Sequence, residues 1–507
     1  MKKIVLLSTI ILGISFIYSC SGDWLDTKPT SSTATSTIFE TTQNAALAVN
    51  GLSKMMSLQY IGSQGFNGEG TIKMYHGNYP GNNFFVNLPG WANTCNGTYH
   101  DNLTATYTVF PWYYYYKIIG NANSIILNID DAAGPDSEKE FIKAQALTFR
   151  AYCYLMLAQL YSYRWVDSNN GSANGVVLRL DSSDGDMPLS TLAETYAQIY
   201  ADLDEAISLY TSSRLNRKYN YEMNIDVAYA VYARAALTRQ DYATALSMAS
   251  KARAGYALMS VADYRAGFCN PTSEWIWSIW GSSDETLYFY SYFAYIAYSS
   301  TASAVRTTPK CISRELFEKI PKSDIRRALF LDPEGYTYTT STGVAGAPLA
   351  AYARELFPDL DPTATIYAYM QFKINLNDQA GVGHLNNFRS SEMLLTEAEA
   401  KYFLNDIAGA QNALNELNRT SGRDPEYNCT ATGTDLLNEI KIYRGLELWG
   451  EGFDWFDMKR WNDPIVRHTY ADGGNYIDVL AVTVQPAEVN KWTWMIPRAE
   501  TDFNKAI

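Results

Sequence analysis

Two stretches of the chain carry the residue types that grip a polyol. The first, residues 59–110, holds Tyr75, Tyr79, Asn82, Asn83, Phe84 and Trp91 among glycines and asparagines. The second, residues 270–309, holds Trp280, Tyr288, Tyr290, Tyr292, Phe293 and Tyr295, then a Ser/Thr-rich run to Pro309. A pyranose shows C–H bonds on its face and hydroxyls around its rim. The face packs on aromatic rings, and the rim hydrogen-bonds to amides, carboxylates, guanidinium groups or phenols. The expected ligand-contacting set is therefore Trp91, Tyr75, Tyr79, Asn82, Asn83, Trp280, Tyr288, Tyr290 and Tyr292. The competing reading for any single ring is the core of its own loop. Tyr113–Tyr116 sit at consecutive helical positions, so at most two can share a side.

Other chemistry lacks its equipment. His76, His100, His384 and His468 are scattered, with no HExxH pair, and there is no phosphate-binding GxxxxGK[ST] or nucleophile-bearing GxSxG. Gly65, Gly68 and Gly70 lack the strand–turn–helix setting of a nucleotide site. Asp181, Asp184 and Asp186 could offer carboxylates to calcium but miss the EF-hand spacing, and read as an acidic turn. No metal and no cofactor are expected. Counting acids cannot exclude a carboxylate pair for glycoside hydrolysis, and nothing singles one pair out. The net charge is −13, and −15 once the first 19 residues, with two lysines and no acid, are removed. Such a surface repels phosphate backbones, so nucleic acid is not an expected partner.

Several helices must position these loops. Helical periodicity marks residues 41–58, 111–129, 138–162 and 191–210, with Pro111 in a first turn and Ser190 as an N-cap. It continues through 226–238, 241–253, 391–404, 406–418 and 434–449. ARAALTRQDYATALSM from Ala233 aligns with AEAKYFLNDIAGAQNAL from Ala398 at one offset of 165 residues. Ala233, Ala235, Asp241, Ala243 and Ala245 match Ala398, Ala400, Asp406, Ala408 and Ala410. Small residues on facing turns, with Asp capping the second helix, describe tetratricopeptide-type hairpins. The fold class is thus mainly α: about four such repeats, long loop-rich insertions and a few short β-strands, one of them at 275–280. Residues 331–350 are expected to form a surface loop.

The N-terminus is an export signal. Lys2 and Lys3 precede a 14-residue apolar stretch from Ile4 to Ile17, too short for a spanning helix. Ile17-Tyr18-Ser19-Cys20 resembles a bacterial lipobox, which makes 1–19 a lipoprotein signal peptide and Cys20 the lipid attachment site. The other five cysteines are widely spaced and odd in number, so at least one is free.

The C-terminal segment resembles the signature of the SusD/RagB family. It reads Arg444-Gly-Leu-Glu447-Leu448-Trp-Gly-Glu451-Gly452-Phe-Asp-Trp455-Phe456-Asp457-Met-Lys-Arg460-Trp461. Further similar motifs are Trp24-Leu25-Asp26, Asn50-Gly51-Leu52, Asn121-Ala-Asn123, Ala144-Gln-Ala146 with Arg150-Ala-Tyr152, Ile496-Pro497 and Asn504. Asp454 departs from it, since the family often has Arg there. In physical terms Glu447 and Glu451 lie one helical turn apart, where Arg460 and Lys459 could neutralise them, a structural clamp and not a catalytic site. The resemblance implies one compact body over 20–507, with an N-terminal part at about 20–230 and a C-terminal part at about 231–507. It implies a cell-surface, lipid-anchored outer-membrane protein that captures oligosaccharide without catalysis. The glycan would pass to a SusC-like TonB-dependent transporter. Alternatives are a RagB-like peptide-binding lid on the same kind of transporter, a surface glycosidase, or a purely structural lid.

Overall fold

The computed structural model describes residues 35–60, 65–98, 101–183, 185–281 and 290–507. Cys20 and the signal segment lie outside these residues, as do His100, Asp184 and Tyr288. Among the described residues the helices of eight residues or more are α1 (Thr42–Met55), α2 (Thr106–Asn128), α3 (Asp136–Tyr161), α4 (Leu192–Ser213), α5 (Ile225–Arg239), α6 (Tyr242–Arg253), α7 (Ala347–Leu356), α8 (Ser390–Phe403), α9 (Ile407–Asn415), α10 (Gly433–Glu447) and α11 (Asp454–Trp461). The fold is mainly α. The helices form one stack: α1 on α2 and α3, α3 on α4, α4 on α5, α5 on α6, α6 on α8 and α8 on α9. None of them is long and apolar enough to cross a membrane.

Helix α3 is the centre of the stack. Every residue from Ala144 to Tyr161 is buried, so a helix that reads as amphipathic is enclosed on all sides. Its one interior arginine, Arg150, must therefore be paired. It holds Asp202 of α4 with two bonds of 2.8 and 2.6 Å and donates to Asn123 Oδ1 of α2 at 2.9 Å. Asn123 and Arg150, both within the family-like motifs, thus tie three helices together.

Helix α2 starts at Thr106, a full turn before Pro111. Pro111 sits inside the helix, which corrects its expected first-turn position. A proline there supplies no N–H to the carbonyl of Tyr107 and disturbs the ladder beside it. Two groups repair the gap. His76 Nε2 donates to Tyr107 O at 2.9 Å. The Tyr161 hydroxyl donates to Thr108 O at 2.5 Å and accepts from Trp112 N–H at 3.1 Å. Helix α4 is capped by Thr191 and not Ser190: Thr191 accepts from Glu194 N–H, and the Glu194 carboxylate accepts from Thr191 N–H.

The strands are short and pair in twos, all antiparallel: β1 (Phe84–Val86) with β3 (Lys310–Ile312), β2 (Trp275–Gly281) with β4 (Gly383–Arg389), and β5 (Ile465–Val466) with β6 (Thr483–Val484). Residues 331–350 are not a plain surface loop. Bridges Tyr338↔Ala345 and Val344↔Tyr367 and the start of α7 structure them. The apolar interior has two large parts beside two small ones, and the chain crosses between the large ones. Tyr75, Tyr79 and Phe84 from the early insertion join the core built by residues after 258. Trp455, Trp492 and Trp494 from the C-terminal end return to the core of α1–α5. Cys95, Cys153, Cys269, Cys311 and Cys429 are buried and form no disulfide.

The family-like signature spans the end of α10 and the start of α11. Glu447 is the last residue of α10, and Glu451 lies in the turn beyond it. Their expected partners are corrected. Glu447 is held by Arg389 at 2.7 Å and Arg326 at 3.0 Å, and Glu451 by Lys373 at 2.7 Å and Arg389 at 2.8 Å. Arg389 also meets Glu274 at 2.5 Å. Arg460 instead pairs with Glu399 and Asp457, and Lys459 donates to the carbonyls of Gln159 and Ser162. The sequence pattern marks the acids of this cluster, but the basic groups that neutralise them, Arg326, Lys373, Arg389 and Arg423, all lie outside it. Burial alone would raise the Glu451 carboxyl; Arg389 and Lys373 outweigh it and hold it down at about 2.

Candidate functional site

The first insertion folds into a platform of rings. Trp91 sits in a short 3₁₀ turn after Pro89, half-buried. Behind it the Tyr75 ring lies 4.9 Å away, with Tyr107 and Tyr79 edge-on at 5.9 and 6.1 Å. Tyr295, from the second insertion, closes on Tyr75 at 5.9 Å. Trp91, Tyr107 and Tyr295 are partly exposed, and Tyr290, near Tyr295, is half-buried too. A backed indole with an accessible edge and face is suited to stacking on a flat ligand. Gly65 lies over the two hydroxyls of Tyr75 and Tyr295; at its φ of +85° a Cβ would sit 2.9 Å from one and 3.1 Å from the other.

Three rings of the expected set are not at the surface. Tyr75, Tyr79 and Tyr292 are buried, at 2, 1 and 7% exposure. Tyr75 and Tyr79 back the platform, and Tyr292 packs behind it on Phe293. Burial, and for Tyr75 and Tyr79 the neighbouring tyrosines, pushes these phenols well above their usual pKa, so they stay neutral. The Tyr292 hydroxyl donates to Gly450 O at 2.7 Å. Asn82 and Asn83 are committed to the scaffold. Asn82 donates to Pro464 O and accepts from Val466 N–H, both at 2.9 Å. Asn83 donates its backbone N–H and its amide to the two oxygens of Asp454, at 2.7 and 2.8 Å. This is the position where the family often has Arg, and Asp454 serves it by accepting two bonds. Both asparagines do border a cleft of about 260 Å3.

Trp280 stands apart at the end of β2, 40% exposed, with its ring 4.5 Å from that of His384 across the strand pair. Of the expected set, then, Trp91, Trp280 and Tyr290 keep accessible ring surface. Tyr295, named in the second stretch but not in the contacting set, joins them, as does Tyr107, which the sequence did not single out. Tyr107 falls in the expected insertion before a helix at 111, and the earlier start of α2 at Thr106 places it in the helix's N-terminal turn beside Trp91.

Glu69 is the other residue the sequence does not announce. It is buried against α2 and α3, where the hydroxyls of Tyr152, Tyr115 and Tyr114 donate to it at 2.5, 3.2 and 3.3 Å. Burial raises its pKa, opposed by these bonds and by Lys73. Two of the four consecutive tyrosines of α2 are thereby spent on one carboxylate.

A stacked helical scaffold with an aromatic platform inserted between its first helices defines the class. The chain belongs to the SusD family. A family model described as starch-binding and associating with the outer membrane matches residues 23–237, and the SusD family model matches residues 272–505. Solved structures agree in fold. A SusD-like carbohydrate-binding protein from Bacteroides vulgatus matches with a TM-score of 0.76 at 22% identity, over 92% of this chain and 98% of that one. A SusD superfamily protein from Bacteroides thetaiotaomicron gives 0.70 at 22%, over 92 and 99%. Another from Bacteroides fragilis gives 0.68 at 20%, over 93 and 99%. Among curated proteins none matches significantly.

Proposed function

We propose that this protein is a cell-surface, lipid-anchored lid that binds oligosaccharide and hands it, unaltered, to a SusC-like TonB-dependent outer-membrane transporter. In this reading residues 1–19 are removed and Cys20 carries the lipid. The observation that carries it is the half-exposed Trp91 ring backed by buried Tyr75. Such a surface gives a sugar face an apolar contact at little conformational cost, because packing already fixes the rings. Tyr107, Tyr290 and Tyr295 add phenols for the hydroxyl rim, and Trp280 offers a second stacking ring. The SusD-like relative from Bacteroides vulgatus is itself described as carbohydrate-binding, which favours sugar over peptide.

The test is a titration followed by intrinsic tryptophan fluorescence. The panel holds maltoheptaose, xylohexaose, cellohexaose, mannohexaose and a tryptic peptide mixture. Saturable binding of one glycan, lost in Trp91→Ala, with no change in the glycan by chromatography, is the expected result. A response to peptides alone moves the protein to the RagB-like reading, and shortened products show a glycosidase.

A further inference from the structure

Helix α2 has a second face that the platform does not use. Val109, Trp112, Tyr113, Tyr116, Gly120 and Asn123 fall on one stripe of the helix. The segments around residues 179–183 and 497–500 rise on either side. Together they enclose a groove of about 490 Å3, a size usual for small-ligand sites.

The groove is held open by bonds between its walls. Asn123 donates to the carbonyls of Arg179 and Asp181 at 2.9 and 3.1 Å, and the Tyr116 hydroxyl to Val177 O at 2.7 Å. On the other side Trp112 Nε1 donates to Glu500 at 3.1 Å, and Arg498 N–H to Leu103 O at 3.0 Å. These bonds fix both walls to the helix, so the space does not depend on loop position.

Gly120 is the second observation. It sits in the middle of a 23-residue helix, exposed, and a Cβ there would meet nothing within 4 Å. Glycine is a poor helix former, and a Cβ here would clash with nothing. Its effect is to leave the floor of the groove bare.

The lining decides the class of ligand. Tyr113, 41% exposed, and Tyr116 present ring surface, backed by the buried Trp112 ring 4.8 Å from Tyr116. The rim holds Arg179 and Lys117 against Asp181 and Glu500, with Ser182 and Ser183 between. An anion would face two carboxylates and a cation two basic groups. A wholly apolar ligand would leave the rim groups without partners. A neutral polyol with a flat C–H face satisfies both the rings and the rim. We propose that this groove is a second saccharide site, taking a short stretch of a neutral glycan. The proposal rests on the carbohydrate reading above.

The experiment is calorimetric titration of the full-length protein in a non-glycosidic detergent, with the same four hexa- and heptasaccharides. The expected result is two sites per chain. Gly120→Trp, which fills the groove, weakens one of them at least tenfold, and Trp91→Ala weakens the other. Leu127→Trp, which adds the same ring at another exposed position of α2, leaves both. A single site lost only in Trp91→Ala overturns the second site and keeps the carbohydrate reading. A single site lost only in Gly120→Trp supports the groove and displaces the platform. Equal losses in Gly120→Trp and Leu127→Trp show a helix defect and overturn the groove. No binding of any of the four overturns both readings.

Discussion

Asp241 and Asp406, 165 residues apart in the sequence, cap the second helices of two hairpins with the same bond from nearly the same backbone. Their φ/ψ values are −87/76° and −88/73°. Each follows a residue in the left-handed region, Gln240 at φ 64° and Asn405 at φ 63°. Asp241 accepts from Thr244 N–H at 3.3 Å and Asp406 from Gly409 N–H at 2.9 Å. The shorter bond has a cause. A Cβ at position 409 would meet Asp406 Oδ2 at 2.0 Å, so only glycine lets the carboxylate fold over so closely. Replacing either aspartate with alanine is expected to cost about 1 kcal/mol of stability, read by urea unfolding. Gly409→Ala is expected to weaken the cap at Asp406 while leaving that at Asp241 unchanged.

Trp91→Ala separates binding from folding. The ring is half-buried on the surface of a packed cluster, so its loss should lower glycan affinity by about 1–3 kcal/mol, roughly 5- to 150-fold. Tyr75→Ala should instead lower the melting temperature strongly, because that ring is 2% exposed and packs on Phe66, Tyr79, Trp91, Tyr107 and Tyr295. Calorimetric titration and thermal melts of the two variants give the comparison.

His76 and Pro111 should be coupled. His76 is fully buried, and burial lowers its pKa to about 4, so it is neutral and carries its proton on Nε2 toward Tyr107 O. Removing it as His76→Ala leaves a buried carbonyl without a donor, at about 1–3 kcal/mol. In a Pro111→Ala background residue 111 regains an N–H for that carbonyl, and the cost of His76→Ala should shrink. A double-mutant cycle in urea reads the difference; strict additivity would refute the link.

Acid should destabilise the protein through the buried cluster. Glu451 has a folded pKa of about 2 against an ordinary 4.5. Its contribution is present above pH 4.5 and is lost as pH falls toward 2. Glu451→Gln should be less stable at neutral pH and lose less stability on acidification. Asp454 runs the other way. Burial raises its carboxyl to about 7 from 3.8, so its contribution is greatest in acid and falls as pH rises through 7. Asp454→Asn should flatten the stability profile between pH 4 and 7, measured by melting temperature against pH.

The sequence by itself determined the local pieces. Periodicity placed α1–α6 and α8–α10 to within a turn or so at most ends but missed α7 and α11, the Asp caps fixed the two repeated hairpins, and alternation located β2. The Glu447–Trp461 signature named the family, because its spacing is a local pattern. Tertiary structure decided what each ring and charge does. Tyr75 and Tyr79 share aromatic character and neighbourhood with Trp91, yet packing buries two and leaves one partly open. Asn82 and Asn83 look like ligand amides until Pro464, Val466 and Asp454 arrive from some 370 to 385 positions later. Arg326 and Arg389, which help to neutralise Glu447 and Glu451, are likewise remote in the chain. Burial and charge pairing depend on which distant segments meet, and periodicity within a window of residues carries no record of that.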